Sequence, residues 1–246
     1  MATCLVDGDI LVYRTGFTVN EEGAERIARS RMNETITTML ANLGASSFRI
    51  FLSDSKSNFR LKIFPLYKAN RLKLPKPIHY EYLINVLLDD WNAEVAFDEE
   101  ADDALGINQR DNTIICSIDK DLYQIPGAHF NWVTGAGRRI SKQEGIHNFY
   151  KQVLTGDTTD NVCTATNLGC PGIGEKKAEA YLEGCQTEEE YFETVLKLYQ
   201  KSLHGASKEI ISNRLLTTGQ LLKIRQKEEE IWNFPYEPNW QTDSRQ

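Results

Sequence analysis

Three short apolar stretches of the chain each run into an aspartate. Cys4-Leu5-Val6 leads to Asp7, Phe48-Arg49-Ile50-Phe51-Leu52-Ser53 to Asp54, and Thr113-Ile114-Ile115-Cys116-Ser117-Ile118 to Asp119. Short continuous apolar runs of this kind read as buried strands. Between them the hydrophobic period lengthens to that of a helix. The pattern covers 25–43, with Ile27, Ala28, Met32, Ile36, Met39, Leu40 and Leu43 apolar, and 78–91, entered through Pro75 and Pro77. Strands alternating with helices predict an α/β fold, a mainly parallel twisted sheet flanked by helices. A fourth run over 94–97 precedes Asp98 and a helical 99–108, while 129–133 and 139–140 supply candidate edge strands. Beyond about residue 142 strand signals stop. Helical patterns follow, strongest over 188–203 and 209–232 and interrupted by a glycine-rich stretch over 169–174. The expected organisation is an α/β domain over 1–141, a helical region over 142–234 and a loose tail over 235–246.

In a parallel sheet, residues that follow separate strands gather along one edge, where open α/β folds bind their ligands. Asp7, Asp54 and Asp119 are expected there. Asp121, two residues past Asp119, shares its face if the backbone is extended. Glu100, Asp102 and Asp103 open the helix after the fourth run, and Asp157 and Asp160 are spaced to share one side of a helical turn. Nine carboxylates would then converge with no His or Cys among them. So many like charges need compensation, and oxygen donors suit a hard divalent cation, Mg²⁺ or Mn²⁺. Two such ions about 4 Å apart activate a water and stabilise the leaving oxygen of a phosphodiester, so in-line hydrolysis is the chemistry implied. Taken singly, the same acids also read as turn formers (Asp7-Gly8, Gly156-Asp157), an acidic helix start (99–103) and a solvated loop (Asp119-Lys120-Asp121). The coincidence of three strand ends favours the site.

Charge complicates the picture. With 35 acidic and 28 basic side chains the chain carries −7, a balance that argues against simple coating of DNA or RNA. Taking the nine clustered acids out of −7 leaves +2 on the remainder. The segment 55–77 has seven basic residues (Lys56, Arg60, Lys62, Lys68, Arg71, Lys73, Lys76) and no acid, with Phe59, Phe64 and Tyr67 interleaved. That composition suits phosphate contacts and base stacking along a strand. The stretch Gly169-Cys170-Pro171-Gly172-Ile173-Gly174-Glu175-Lys176-Lys177-Ala178 combines small residues with a helix start, a pattern that presents backbone N–H groups to an anion. It matches neither a dinucleotide fingerprint nor a Walker loop. The four histidines are scattered, and the five cysteines, an odd number without a C-x-x-C pair, are expected to be free thiols. No apolar run nears the roughly 18 to 20 residues that span a bilayer, and the N-terminus lacks a basic leader, so a cytosolic protein is expected.

In order along the chain, Leu5-Val6-Asp7-Gly8-Asp9, Ser53-Asp54-Ser55 with Tyr67-Lys68-Ala69-Asn70-Arg71, Glu100-Ala101-Asp102-Asp103, Ser117-Ile118-Asp119-Lys120-Asp121 and Gly156-Asp157-Thr158-Thr159-Asp160-Asn161 with Gly172-Ile173-Gly174-Glu175-Lys176-Lys177-Ala178 resemble the blocks of the 5′-nuclease (flap endonuclease) superfamily. The likeness covers about residues 3–182 and is nearest the 5′-to-3′ exonucleases of short-tailed bacteriophages. It implies a PIN-like nuclease domain with a basic arch over 55–77, followed by a helix-hairpin-helix region that grips duplex DNA, with K⁺ as a candidate ion at the hairpin. By the same likeness, Glu100, Asp102, Asp119 and Asp121 would ligate one metal with Asp7 and Asp54 nearby, and Asp157 and Asp160 a second. Lys68 and Arg71 would stand beside the scissile phosphate. Gly172, Gly174 and Lys177, with Lys176, would hold the duplex backbone, and Tyr67 and Arg60 would contact DNA from the arch. The implied activity is metal-dependent 5′-to-3′ hydrolysis of duplex DNA, with flaps and RNA–DNA hybrids as further substrates, by a monomer in a host cytoplasm. The basic segment is shorter than the arch of many flap endonucleases, which favours attack at a duplex 5′ end. Two alternatives stay open: a PIN-type ribonuclease and a non-catalytic DNA-end-binding protein.

Overall fold

A computed structural model describes residues 2–238 and 240 of the chain. Along it run β1 (Thr3–Asp7), α1 (Gly8–Thr18), α2 (Glu25–Leu43), β2 (Ser47–Leu52), α3 (Phe59–Ile63), α4 (Tyr80–Trp91), β3 (Glu94–Val95), α5 (Ala101–Asn108), β4 (Thr113–Cys116), β5 (Gly127–Asn131), β6 (Ala136–Ile140), α6 (Lys142–Thr155), α7 (Glu175–Leu182), α8 (Glu188–Ser202) and α9 (Lys208–Leu222). The chain forms two compact units. The first comprises Met1–Phe59, Lys73–Lys142 and Ile224–Glu230, and the second Arg60–Leu72, Gln143–Lys223 and Ile231–Gln246. Two segments therefore cross between units, an exchange that hydropathy along the chain does not display.

The first unit is built on a six-stranded sheet in the order β3-β2-β1-β4-β5-β6. All neighbouring pairs are parallel except β5 with β6. Side chains alternate between two cores, as strand geometry requires. Cys4, Val6, Ile50, Leu52 and Cys116 join Met32, Ile36 and Met39 of α2 and Leu83 and Leu87 of α4. Leu5, Phe51 and Ile115 join Ala101, Ala104 and Leu105 of α5 together with Ile224. Each fully buried aliphatic side chain contributes about 1.5–3 kcal/mol by leaving water. Both faces of the sheet are covered, which explains why its strands read as continuous apolar runs.

β1 passes directly into α1, a helix the sequence reading does not predict, since Asp7-Gly8 also reads as a turn. Asp7 caps the helix by accepting the Ile10 N–H at 3.1 Å. Gly8 is required by close approach, since a Cβ there would stand 2.6 Å from the Phe51 carbonyl oxygen. The fourth expected strand shrinks to two residues, and β4 stops at Cys116.

In the second unit, α6, α8 and α9 bury Phe149, Tyr150, Val153, Leu154, Phe192, Val195, Tyr199 and Leu215. The expected helix over 209–232 ends at Leu222, because Lys223 takes an extended conformation. Nor is the described part of the tail loose. Phe234 and Tyr236 each lie 5.2 Å from the Phe192 ring. The rest of the expected tail, 239 and 241–246, lies outside the described residues. All five cysteines are free thiols, and no helix of the described residues is long and apolar enough to cross a membrane.

Candidate active site

The strand order reverses at β1, flanked by β2 on one side and β4 on the other, and this places the ligand crevice at the C-terminal ends of these three strands. Asp7 closes β1 and is fully buried. Its carboxylate accepts from the Ser117 hydroxyl at 2.7 Å, and Ser117 in turn accepts the Asp119 N–H at 3.0 Å. Burial, then the anion of Asp9, push the Asp7 carboxyl up to about 7, with Asp119 adding to the rise and the hydrogen bonds from Ser117 and Ile10 opposing it. Asp9, in the first turn of α1, is a residue the sequence reading leaves out of the site. It accepts both the N–H and the hydroxyl of Ser53, and that hydroxyl also accepts the Ala101 N–H at 2.9 Å. The start of α1, the end of β2 and the start of α5 are thereby tied together at the edge.

Asp54 follows β2 as expected, in a tight turn of its own. It accepts the Lys56 N–H at 2.8 Å, the Ser57 hydroxyl at 2.8 Å and the Asp98 N–H at 3.2 Å. These bonds, led by that from Lys56, lower its carboxyl to about 2. Glu100 caps α5, with Asp102 and Asp103 in the first helical turn. Asp103 departs from the ligand expectation: it is wholly buried, and its oxygens accept the N–H groups of Glu100 at 3.2 Å and Arg225 at 3.0 Å. It is a structural acceptor holding Ile224–Glu230 to the first unit. The backbone that joins Asp119 to Asp121 is not extended. Lys120 is helical, Asp121 opens a 3-10 turn, and its N–H donates to Asp119 at 2.8 Å.

In the second unit, Asp157 and Asp160 sit in a turn bridged between Asp157 and Val162 rather than on a helix. Asp157 accepts the Thr159 N–H at 2.7 Å and the Asp160 N–H at 3.3 Å. Asp160 is the hub of the Tyr67–Arg71 block. It accepts from the Tyr67 hydroxyl at 2.8 Å, pairs with Arg71, and has the Lys68 ammonium at 3.7 Å. Lys68 adopts a left-handed φ of 55°, held by its N–H on the Asp160 carbonyl at 2.9 Å. Arg71 also donates to the Thr159 carbonyl at 2.9 Å.

Two residues expected on a nucleic-acid surface are interior. Arg60 is 2% exposed and donates to the Leu221 and Lys223 carbonyls at 2.8 Å each. Tyr67 is 4% exposed, its ring in the cluster of Val162, Leu168 and Leu221. The other basic residues of the segment remain accessible: Lys56, Lys73 and Lys76 in the first unit, Lys62, Lys68 and Arg71 in the second. Gly172 takes φ 76°, Gly174 caps α7, and the exposed Lys177 donates to the Gly172 carbonyl at 2.9 Å, with Lys176 exposed beside it.

The chemistry of the donor set fits a hard divalent cation: oxygens only, on one sheet edge, with the Asp7 carboxyl raised by burial first and then by the anions beside it. Among the described residues no three Asp, Glu, His or Cys side chains stand together as a metal cage.

Comparison with known proteins agrees with this architecture. A 5′-3′ exonuclease of Halalkalibacterium halodurans is 27% identical over 190 residues, covering 66% of this chain and 61% of that protein. One of Buchnera aphidicola subsp. Schizaphis graminum is 28% identical over 197 residues, covering 71% and 67%. The chain thus spans about two thirds or less of these relatives. The fold is that of the bacteriophage T5 5′-exonuclease solved with divalent metal ions (zinc), with TM-score 0.64, 19% identity, and 90% of this chain and 86% of that one covered. The T5 flap endonuclease in a pseudo-enzyme-product complex with DNA and metal ions aligns with TM-score 0.62, 19% identity and the same coverage. Residues 2–153, more than half of the chain, match the family described as the 5′-3′ exonuclease, N-terminal resolvase-like domain, and the chain belongs to that family.

Proposed function

We propose that this chain is a divalent-metal-dependent 5′-to-3′ nuclease that hydrolyses phosphodiester bonds of duplex DNA from 5′ ends, with flaps and RNA–DNA hybrids as further substrates. The observation that carries the reading is the carboxylate edge at the β1/β4 crevice, where buried Asp7 is crowded by Asp9 and Asp119. Relatives named 5′-3′ exonuclease and a fold neighbour solved with DNA and metal ions support it.

Asp7, Asp54, Glu100, Asp102, Asp119 and Asp121 are the donors proposed for Mg²⁺ or Mn²⁺ in the first unit, with Asp157 and Asp160 those of the second. A bound ion of this kind supplies a nucleophilic hydroxide at neutral pH and stabilises the leaving oxygen. Ser117 and Ser53 fix the carboxylates of Asp7 and Asp9 by donating to them. Lys68 and Arg71 are the cations proposed to meet the phosphate, where they would neutralise charge that grows as the bond breaks. Asp160 holds them in place until substrate arrives. Gly172, Gly174, Lys176 and Lys177 form the proposed hairpin contact with the duplex backbone, with K⁺ as its monovalent ion. The protein is proposed to act as a monomer in the cytoplasm.

The test is digestion of a 5′-labelled duplex with Mg²⁺, beside an EDTA control and the double variant Asp119→Ala, Asp121→Ala. Release of short 5′-labelled products by the native protein alone is the expected result. Degradation of RNA only would favour the ribonuclease alternative, and binding without cleavage the end-binding one. Full activity of the double variant would remove these acids from the site.

A further inference from the structure

Seven residues beyond the Asp7 cap, nearly two turns along α1, Arg14 stands on the same helical face, about 10 Å further from the carboxylate edge. Arg14 and Thr18 form one wall of a groove of about 410 Å³. The other wall is a stripe on α2, Arg31, Thr35, Thr38 and Asn42, at helical spacing. Helices that lie side by side normally bury apolar stripes against each other; this pair, above its buried core, opens a mixed cleft to solvent, with polar walls over Leu11 and Met39. Trp132, following β5 in the hairpin to β6, closes one side, and part of its ring packs on the core beneath.

The groove is electrostatically unfinished. Arg31 donates to the Thr18 carbonyl at 3.1 Å, and Arg14 makes no hydrogen bond or ion pair among the described residues. Both arginines are exposed, and Glu34 is the single acid on the lining. Two cations against one anion make a local positive site in a chain of net charge −7. The volume lies within the range of small-ligand sites, and an indole beside two guanidinium groups is the combination that stacks a base and holds its phosphate.

We propose that this groove is a subsite for single-stranded DNA leading away from the carboxylate edge, with Arg14 and Arg31 on phosphate and Trp132 under a base. The proposal deepens the nucleic-acid reading above and rests on it.

The test is fluorescence anisotropy of the full chain in EDTA with a labelled, unstructured DNA oligonucleotide, titrated at several salt concentrations. The double variant Arg14→Ala, Arg31→Ala should weaken binding about tenfold and flatten the slope of log affinity against log salt by about 1.4, the value for two lost phosphate contacts on a single strand. Trp132→Leu should cost about fivefold or more, with Trp132→Phe restoring most of it through its ring. Unchanged affinity and salt slope in the arginine variant would overturn the proposal, as would equal losses in Trp132→Leu and Trp132→Phe. Circular dichroism of each variant checks folding, and the exposed arginines can be removed without opening the core. The same preparations on duplex DNA with Mg²⁺ separate the two readings. Cleavage by the native protein with no effect of the arginines on oligonucleotide binding ends the subsite and keeps the nuclease. Groove-dependent binding with no cleavage does the reverse.

Discussion

The backbone N–H of Arg225 donates to Asp103 Oδ1 at 3.0 Å, a bond between residues 122 apart in sequence. Around it, the Arg225 guanidinium lies 3.6 Å from the Phe59 ring centroid, reaches Glu99 at 3.1 Å and donates to the Glu230 carbonyl at 2.9 Å. Asp103→Ala would strand two buried N–H donors and remove the anion beside them. We expect a loss of about 3 kcal/mol, or roughly 6–12 °C in Tm for a chain of this size. Thermal unfolding followed by circular dichroism measures it; a shift under 2 °C, on the order of the effect of a neutral surface change, would mean that the bond is dispensable.

Trp232 occupies a slot that exists because position 219 has no side chain. A Cβ on Gly219 would stand 2.3 Å from two carbons of the indole. Gly219→Ala should destabilise the protein by about 1–3 kcal/mol through overpacking. A double-mutant cycle with Trp232→Leu should show that the alanine costs much less once the indole is gone. Additive losses would place the cause in the α9 backbone instead.

Asp7 makes the stability of the metal-free protein depend on pH. Its carboxyl titrates at about 7 when folded against 3.8 in water, so the folded state holds a proton that the unfolded chain releases. The contribution of Asp7 to stability is full below about pH 4 and is lost as pH rises towards 7, by a few kcal/mol at most. Asp7→Asn should therefore stabilise the EDTA-treated protein above about pH 7 and have little effect near pH 4. Urea titrations across this range check the sign: a native protein that gained stability relative to Asp7→Asn on going from pH 4 to 8 would contradict it.

Lys68 and Arg71 share Asp160 but differ in how they hold it. Lys68→Ala should slow cleavage by about 100-fold while changing duplex affinity less, the mark of charge stabilised in the transition state. Arg71→Lys should also lose activity, because an ammonium cannot contact the Thr159 carbonyl and Asp160 with a planar fork. Equal losses in rate and affinity for Lys68→Ala would make it a binding residue.

The sheet, its edge acids and α2 were legible because apolar periodicity records burial directly. Glu100 and Asp102 at a helix start followed from the same logic. α1 was hidden because its cap, Asp7, and its first residue, Gly8, look like a turn unless the neighbouring strand that forbids a side chain at Gly8 is known. The expected helix past Leu222 fails for a tertiary reason: Lys223 is extended and Asp103 takes the Arg225 N–H. Arg60 was misjudged because its partners are main-chain carbonyls at Leu221 and Lys223, which composition cannot reveal. Asp9 was overlooked because its role comes from Ser53, on another strand's end.

The return of Ile224–Glu230 to the first unit sets an order of events during synthesis. The sheet residues have all left the ribosome well before Ile224, which completes one of its cores, and Arg225, which satisfies Asp103. At about 5–20 residues per second, the 122 residues between Asp103 and Arg225 take roughly 6–24 s to make. From the end of β6 at Ile140 until Ile224 and Arg225 are made, the nascent α/β unit lacks one donor to Asp103 and one side chain of its core. The order of the sequence therefore leaves the first unit incomplete until Ile224–Glu230 has been made, after the second unit's helices.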